Sequence, residues 1–222
     1  MKETGPATDP DVTEHEAGFS WVAHPDEGMQ RASHALRDGE DVWVVDPVEF
    51  NGLDDRLDEL GEVAGAVTLL DRHARDAGSV ADRHGVAVHA PAWMSGVEKR
   101  VEAPVERFED TLGGSDYRTR RVVDNRAWQE CALFDGATLV VPEAVGSAPY
   151  FRGAGERLGI HPMLRLVPPR RQLRDLDPER VLTGHGIGVL DGAAEALDDA
   201  LAGARRRAPG AYLNALGIVL SG

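Results

Sequence analysis

Unbroken apolar runs alternate with stretches of helical spacing through the first half of the chain. Residues 19–23 read as a first strand, and residues 41–47 as a buried strand stopped by Pro47. Leu53, Leu57 and Leu60 then recur at intervals of four and three, which predicts a helix with one apolar face that ends at Gly61. Residues 66–70 give the next strand. Residues 76–84 give a helix stopped by Gly85, and residues 86–89 a short strand before Pro91. Residues 26–36 fit either a short helix or a loop. This strand–helix–strand alternation predicts a layered α/β fold.

The rhythm changes in the second half. Residues 117–123, 128–134 and 138–141 read as three successive strands, with Asp135-Gly136 as a hairpin signal between the last two. Residues 163–169 follow neither period, and residues 173–177 form a short link to a strand at 180–183. Two helices are expected at the end, over about 192–206 and 209–219. Residues 1–17 are polar and apolar-poor, and are expected to form a flexible N-terminal tail. Residues 18–222 then make a single domain, with no internal repeat, low-complexity segment or linker.

Composition narrows the function. With 222 residues, 42% of them hydrophobic, the chain can bury a sizeable core. The net charge is −14, and Lys2 and Lys99 are the only lysines. An acidic, arginine-for-lysine surface suits high salt, where carboxylates stay hydrated and screened. It offers no basic face to phosphates, so no nucleic-acid partner is expected. The one basic run, Arg205-Arg206-Arg207, falls near a predicted helix end, where it would offset the helix dipole. Cys131 is alone, which excludes an internal disulfide and fits a reducing compartment. Its apolar surroundings predict a core thiol. No apolar run is long enough to span a membrane and no leader pattern is present, so the expectation is a cytoplasmic protein with no membrane partner.

The densest polar chemistry follows the strand at 66–70. Asp71, His73 and Arg75 alternate, so in extended chain they share a face, and Asp76 stands at a helix start. A solvated strand-to-helix loop with ordinary surface charges explains the same residues. There is no phosphate-binding loop, no dinucleotide fingerprint and no nucleophile elbow, so no dinucleotide cofactor is expected.

Four segments in order carry a resemblance. Residues 42–47 look like an early strand ending in an Asp-Pro turn. Residues 70–78 stand where a His-x-His-x-Asp-His loop and glycine would fall. Residues 138–144 look like the strand that presents a bridging aspartate, and residues 181–186 like a late strand running into Gly184-His185-Gly186. Together they resemble the metallo-β-lactamase superfamily from about residue 19 to 219. The resemblance implies a four-layer αββα sandwich, two mixed sheets flanked by helices, with the site at the sheets' shared edge.

The chain departs from that pattern at the ligands. His73 and His185 are retained. Asp71 and Asp76 stand for histidines, Arg75 for the aspartate, and Glu143 for the bridging aspartate, while the remaining histidine falls near Arg126. The resemblance therefore implies Asp71, His73, Asp76, Glu143 and His185 as candidate metal ligands. Arginine keeps its proton and has no lone pair to give a metal. Three carboxylates and two guanidiniums nearly cancel, whereas two divalent ions would leave excess buried charge costing several kcal/mol.

Two readings follow. In the first, the site is degenerate and lacks dinuclear zinc chemistry, and the protein binds or assembles, with Arg75 and Arg126 holding an anionic small molecule. In the second, one divalent metal (Zn, Mn or Fe) supports hydrolysis of an ester, thioester, lactam or phosphodiester, with Asp71 or Asp76 as general base. The direction of Arg75, into the carboxylates or away from them, discriminates the two. Asp46 is expected to brace the site loop, His34 to be a core or surface residue and His161 a loop residue. Tyr150 and Phe151 are expected to line a pocket or pack beneath a loop.

Overall fold

A computed structural model describes residues 6–221. Its first sheet has seven strands in sequence order: β1 (Asp11–His15), β2 (Gly18–Val22), β3 (Ala32–Asp38), β4 (Asp41–Val45), β5 (Glu62–Val67), β6 (Val88–Pro91) and β7 (Val105–Phe108). Pairing is antiparallel through β4 and parallel from β4 onward. Helices α1 (Leu53–Leu60) and α2 (Ala77–His84) supply the first two of the three parallel crossovers. The second sheet contains β8 (Arg118–Asn125), β9 (Trp128–Phe134), β10 (Thr138–Val141), β13 (Arg180–Thr183) and β14 (Gly188–Val189). A two-stranded ribbon, β11 (Val145–Gly146) with β12 (Gly159–Ile160), lies between β10 and β13 in sequence. The short α3 (Arg170–Leu173) and the long α4 (Ala193–Ser221) complete the chain.

The layers follow from alternation along the second sheet. Cys131, Leu133, Val140 and Leu182 pack with Trp21, Trp43 and the first sheet. Their neighbours Ala132, Leu139, Val141 and Val181 pack with Leu197, Leu201 and the rest of α4. Both faces are covered, which is why these strands read as continuous apolar runs. The result is the expected αββα sandwich. Cys131 is buried, and burial lifts its thiol to about 12.

Several expectations change. Within the predicted tail, Asp11–His15 is an edge strand and Ala7 is buried beside Phe50; residues 1–5 lie outside the described residues. The strand shows charges to solvent, so it read as apolar-poor. Residues 26–31 form a loop, one of the two expected alternatives, whereas residues 32–36 are the start of β3. Its polar positions are satisfied in the core: the Ser33 hydroxyl donates to Asp46 O and accepts from Val48 N–H. The two C-terminal helices are one helix of 29 residues that continues through Pro209. An exposed proline removes one hydrogen bond but leaves the freed carbonyl to water. Arg205-Arg206-Arg207 therefore lies in mid-helix.

Arg207 instead joins a buried clamp. The guanidinium of Arg165 donates to Glu156 Oε2 and Phe151 O, both at 2.5 Å, and Arg207 Nε donates to Glu156 Oε1 at 2.7 Å. Gly153 N–H also donates to Glu156. These bonds fasten the segment carrying Tyr150, Phe151 and His161 onto α4. A second buried chain crosses the sandwich. His15 Nε2 lies 2.8 Å from Ser20 Oγ, Ser20 Oγ 2.7 Å from His34 Nδ1, and His34 Nε2 3.2 Å from Thr183 O.

Arg165→Met leaves Glu156 enclosed with only part of its charge compensation. The expected loss is about 3 kcal/mol of unfolding free energy in a denaturant titration. Burial also lowers His15 to about 4 and His34 to about 3. The unfolded chain titrates these groups near 6.5 and takes up protons the folded chain refuses. Stability is thus insensitive to them above about pH 6.5 and falls as pH drops toward 4, by at most ~1.4 kcal/mol per pH unit for each histidine. A His34→Gln variant should show a shallower dependence in the same titrations.

Candidate metal centre

Two parallel pairs, β4 with β5 and β10 with β13, end beside one another at one edge of the sandwich. The loops beyond them carry Asp46, His73, Glu143 and His185, at the carboxyl ends where α/β folds place their sites. Backbone bonds draw the two sheets together here. Cys131 N–H donates to Leu69 O (2.8 Å), Asp71 N–H to Gln129 O (3.0 Å), Ala32 N–H to Gly184 O (3.0 Å) and Gly186 N–H to Gln30 O (2.8 Å). A side chain at Gly184 would strike the carbonyl of Pro142, and Gly186 has φ +74°, so both turns need glycine.

Among the described residues, His73, Glu143 and His185 bring ligand atoms within 4.8 Å of one another, all buried. Their hydrogen bonds assign the protons. His73 Nδ1 is 3.1 Å from Asp46 Oδ2, a carboxylate that can only accept, so His73 carries its proton there and turns the Nε2 lone pair inward. His185 Nδ1 donates to Met29 O at 3.0 Å, and its buried Nε2 has no hydrogen-bond partner among the described residues. His73 Nε2 stands 3.5 Å from Glu143 Oε2. Two acceptors facing one another require a cation between them, a proton or a metal ion.

Electrostatics favour an ionised Glu143 and a neutral His185. Burial alone would lift the Glu143 carboxyl, but His73, His185 and Arg72 outweigh it and bring it to about 2. Burial, with the charge of Arg75, holds His185 well below its ordinary value. Neutral imidazole and ionised carboxylate are the forms that bind metals.

Residues with no clear sequence signal surround the Glu143 carboxylate. His161 Nδ1 accepts from Met163 N–H, which leaves its Nε2–H 3.5 Å from Glu143 Oε1. Its ring stands edge-on to Trp128 at 4.9 Å, and burial lowers it to about 4. Arg72 lies over the same indole, 4.5 Å from the centroid, with Nη2 3.1 Å from Glu143 Oε2. Buried Glu130 accepts from the amides of Glu143 and Ala144 and from the Trp128 indole N–H. Nothing in a single sequence separates His161 or Glu130 from ordinary loop and strand residues. Asp46 braces the site loop as expected, and also accepts Leu69 N–H at 3.3 Å.

Four expected site residues lie differently. Arg75 donates to the backbone carbonyls of Ala32 (2.5 Å), Asp46 (2.9 Å) and Gly184 (2.9 Å), and all its hydrogen bonds among the described residues go to carbonyls. Arg126 is exposed at the β8–β9 turn, where Asn125 Oδ1 holds Ala127 N–H, and does not line the cavity with His73. Asp76 accepts Glu49 N–H at 2.8 Å, and Asp71 faces Arg72 at 3.5 Å. Neither aspartate joins the three-residue cluster. Their short side chains are spent on loop amides and a neighbouring guanidinium, so the expected ligand and base roles find no support in the geometry.

A cavity of about 460 Å³ opens onto His73, Glu143 and His185. Arg72, Arg75 and the Arg31–Glu27 ion pair (2.6 Å) line it, and Met29, Tyr150 and Ile218 form an apolar wall. Both Asp46 (φ +45°) and Arg75 (φ +42°) hold left-handed backbone beside the cluster, a conformation that costs about 1 kcal/mol or more and gathers at functional sites.

No protein-family model matches the sequence, and no curated protein matches it. Solved structures match over most of the chain. TMB-1 aligns at 14% identity over 93% of this chain and 99% of its own, with a TM-score of 0.58. DIM-1 metallo-β-lactamase exposed to ceftazidime aligns at 14% identity over 90% and 100%, with a TM-score of 0.56. TTHA1623, in a di-iron-bound form, aligns at 17% identity over 72% and 90%, with a TM-score of 0.53. At these identities the likeness concerns architecture: this chain has the metallo-β-lactamase fold.

Proposed function

We propose that the protein is a mononuclear metal-dependent hydrolase acting on a small anionic substrate with an ester, thioester, lactam or phosphodiester bond. One observation carries the reading: His73 and His185 both spend their Nδ1 protons elsewhere, so two Nε2 lone pairs converge with the Glu143 carboxylate. A two-imidazole, one-carboxylate donor set suits Zn and also Fe or Mn, and leaves coordination positions open. Asp46 and Met29 O act as the outer partners that fix each ring's tautomer. A bound divalent ion supplies Lewis acidity toward water and a substrate oxygen.

The chain's own groups do the rest. Arg72 restrains Glu143 and presents a guanidinium to the cavity, where a carboxylate or phosphate can pair with it. Tyr150 and Met29 offer apolar contact to the remainder of the substrate and keep water away. Formal charge supports a single ion. Glu27, Asp46, Asp71, Asp76 and Glu143 against Arg31, Arg72 and Arg75 leave two formal negative charges, which one divalent cation neutralises. Arg75 lies on carbonyls where a further cation would otherwise be drawn. The alternative of a non-catalytic binding protein drew on paired arginines among carboxylates; with Arg126 at a distant turn and Arg75 on backbone, that support is weaker.

Elemental mass spectrometry on protein purified without chelator or affinity-column metal should find about one equivalent of Zn, Mn or Fe, lost in a His73→Ala, His185→Ala double variant. Two equivalents, or none after supplementation, would overturn the proposal. Asp46→Asn keeps the size and tolerates the left-handed backbone, but releases the His73 tautomer. Metal affinity measured by chelator competition should drop about 10- to 100-fold, with the circular dichroism spectrum unchanged.

A further inference from the structure

The C-terminal half of α4 is built inside out. Ala208, Ala211 and Ala215 face the body of the protein, and Asn214 Nδ2 donates to Pro149 O at 2.6 Å. Leu213 (73% exposed), Leu216 (55%) and Leu220 (78%) point to solvent. A surface helix ordinarily buries its large residues and exposes its small or polar ones. At about 100° per residue, Tyr212, Leu213, Leu216 and Leu220 fall on one stripe with Arg205. Arg205 Nε donates to Leu166 O at 2.7 Å, which sets Met163, Leu166 and Val167 beside the same stripe. Among the described residues, every large exposed apolar side chain belongs to one of these two segments.

We propose that this face is a two-fold interface between two copies of the chain. Charge selects that occupant. The chain carries −14, yet residues 208–222 contain no charged side chain. Two such acidic molecules repel each other elsewhere, and this patch lets them meet without placing like charges in contact. An anionic lipid surface would be repelled by the rest of the molecule, and a helix that lies on membranes carries Lys or Arg on its polar face, which this one lacks beyond Arg207. Leucines spaced three and four residues apart form a seam that can pack on its own copy about a two-fold axis. The exposed side chains present several hundred Å², on the order of the ~800 Å² per partner of a standard interface.

The interface would reach the cavity through the helix itself. Ile218 and Val219 line the cavity from the same turns whose Leu216 and Leu220 meet the partner. Pairing would then hold that wall in place. This inference does not depend on the metal or on hydrolysis.

Sedimentation velocity on the full chain at high salt decides it. The expected mass is that of two chains, falling to one in a Leu216→Glu variant whose circular dichroism is unchanged. Leu220→Glu serves as a second variant if the first does not fold. Wild-type protein that stays at the mass of one chain at high micromolar concentration would overturn the proposal. So would a dimer untouched by both substitutions, or a monomer that co-sediments with phosphatidylcholine vesicles.

Discussion

One guanidinium reinforces the backbone bonds that join the two sheets at the edge where the candidate centre lies. Arg75 holds carbonyls from the start of β3, the end of β4 and the turn after β13. Ala32 and Asp46 belong to one sheet and Gly184 to the other, so the three bonds set the distance between His73 on one side and His185 on the other. Carbonyls converging on one point need a cation, and an arginine supplies it while placing several donors in a fixed fork. The left-handed backbone at Arg75 is the strain accepted to aim the side chain inward.

From that seam the cluster is held in successive shells. Asp46 fixes His73, Met29 O fixes His185, and Glu130 holds the amide of Glu143. His161, Trp128 and Arg72 then enclose the Glu143 carboxylate. His161 and its neighbours arrive on a segment with little regular structure, and the Arg165–Glu156–Arg207 clamp to α4 makes that segment firm enough to serve. Buried ion pairs of this kind add little net stability, but removing one partner strands the other. Precision at the cluster and stability of the second layer thus rest on the same few charged groups.

The long helix has two duties on two faces. Its first half buries Leu197 and Leu201 against the second sheet, while its second half turns alanines inward and leucines outward. Small inward residues let the helix end approach the cavity closely, where Ile218 forms part of the wall.

The order of strands and helices was legible because burial on one or two faces writes a period into the chain, as residues 41–47 and 138–141 illustrate. His73, Glu143 and His185 were legible through the resemblance, which places each in a loop that follows a strand. The β1 edge strand was hidden because charges occupy its solvent side, and β3 because its Ser33 and His34 are polar residues satisfied only by distant partners. The continuous α4 was hidden because proline is a local stop signal that an exposed helix can override. Arg126 and the two aspartates were misplaced for a related reason: position along a strand says which loop a residue joins, not what its side chain meets there. Proton positions on His73 and His185, the carbonyl nest of Arg75 and the arrival of His161 all depend on groups far apart in the chain. Only the folded structure brings those groups to hydrogen-bonding distance, so tertiary packing decided what the cluster can bind.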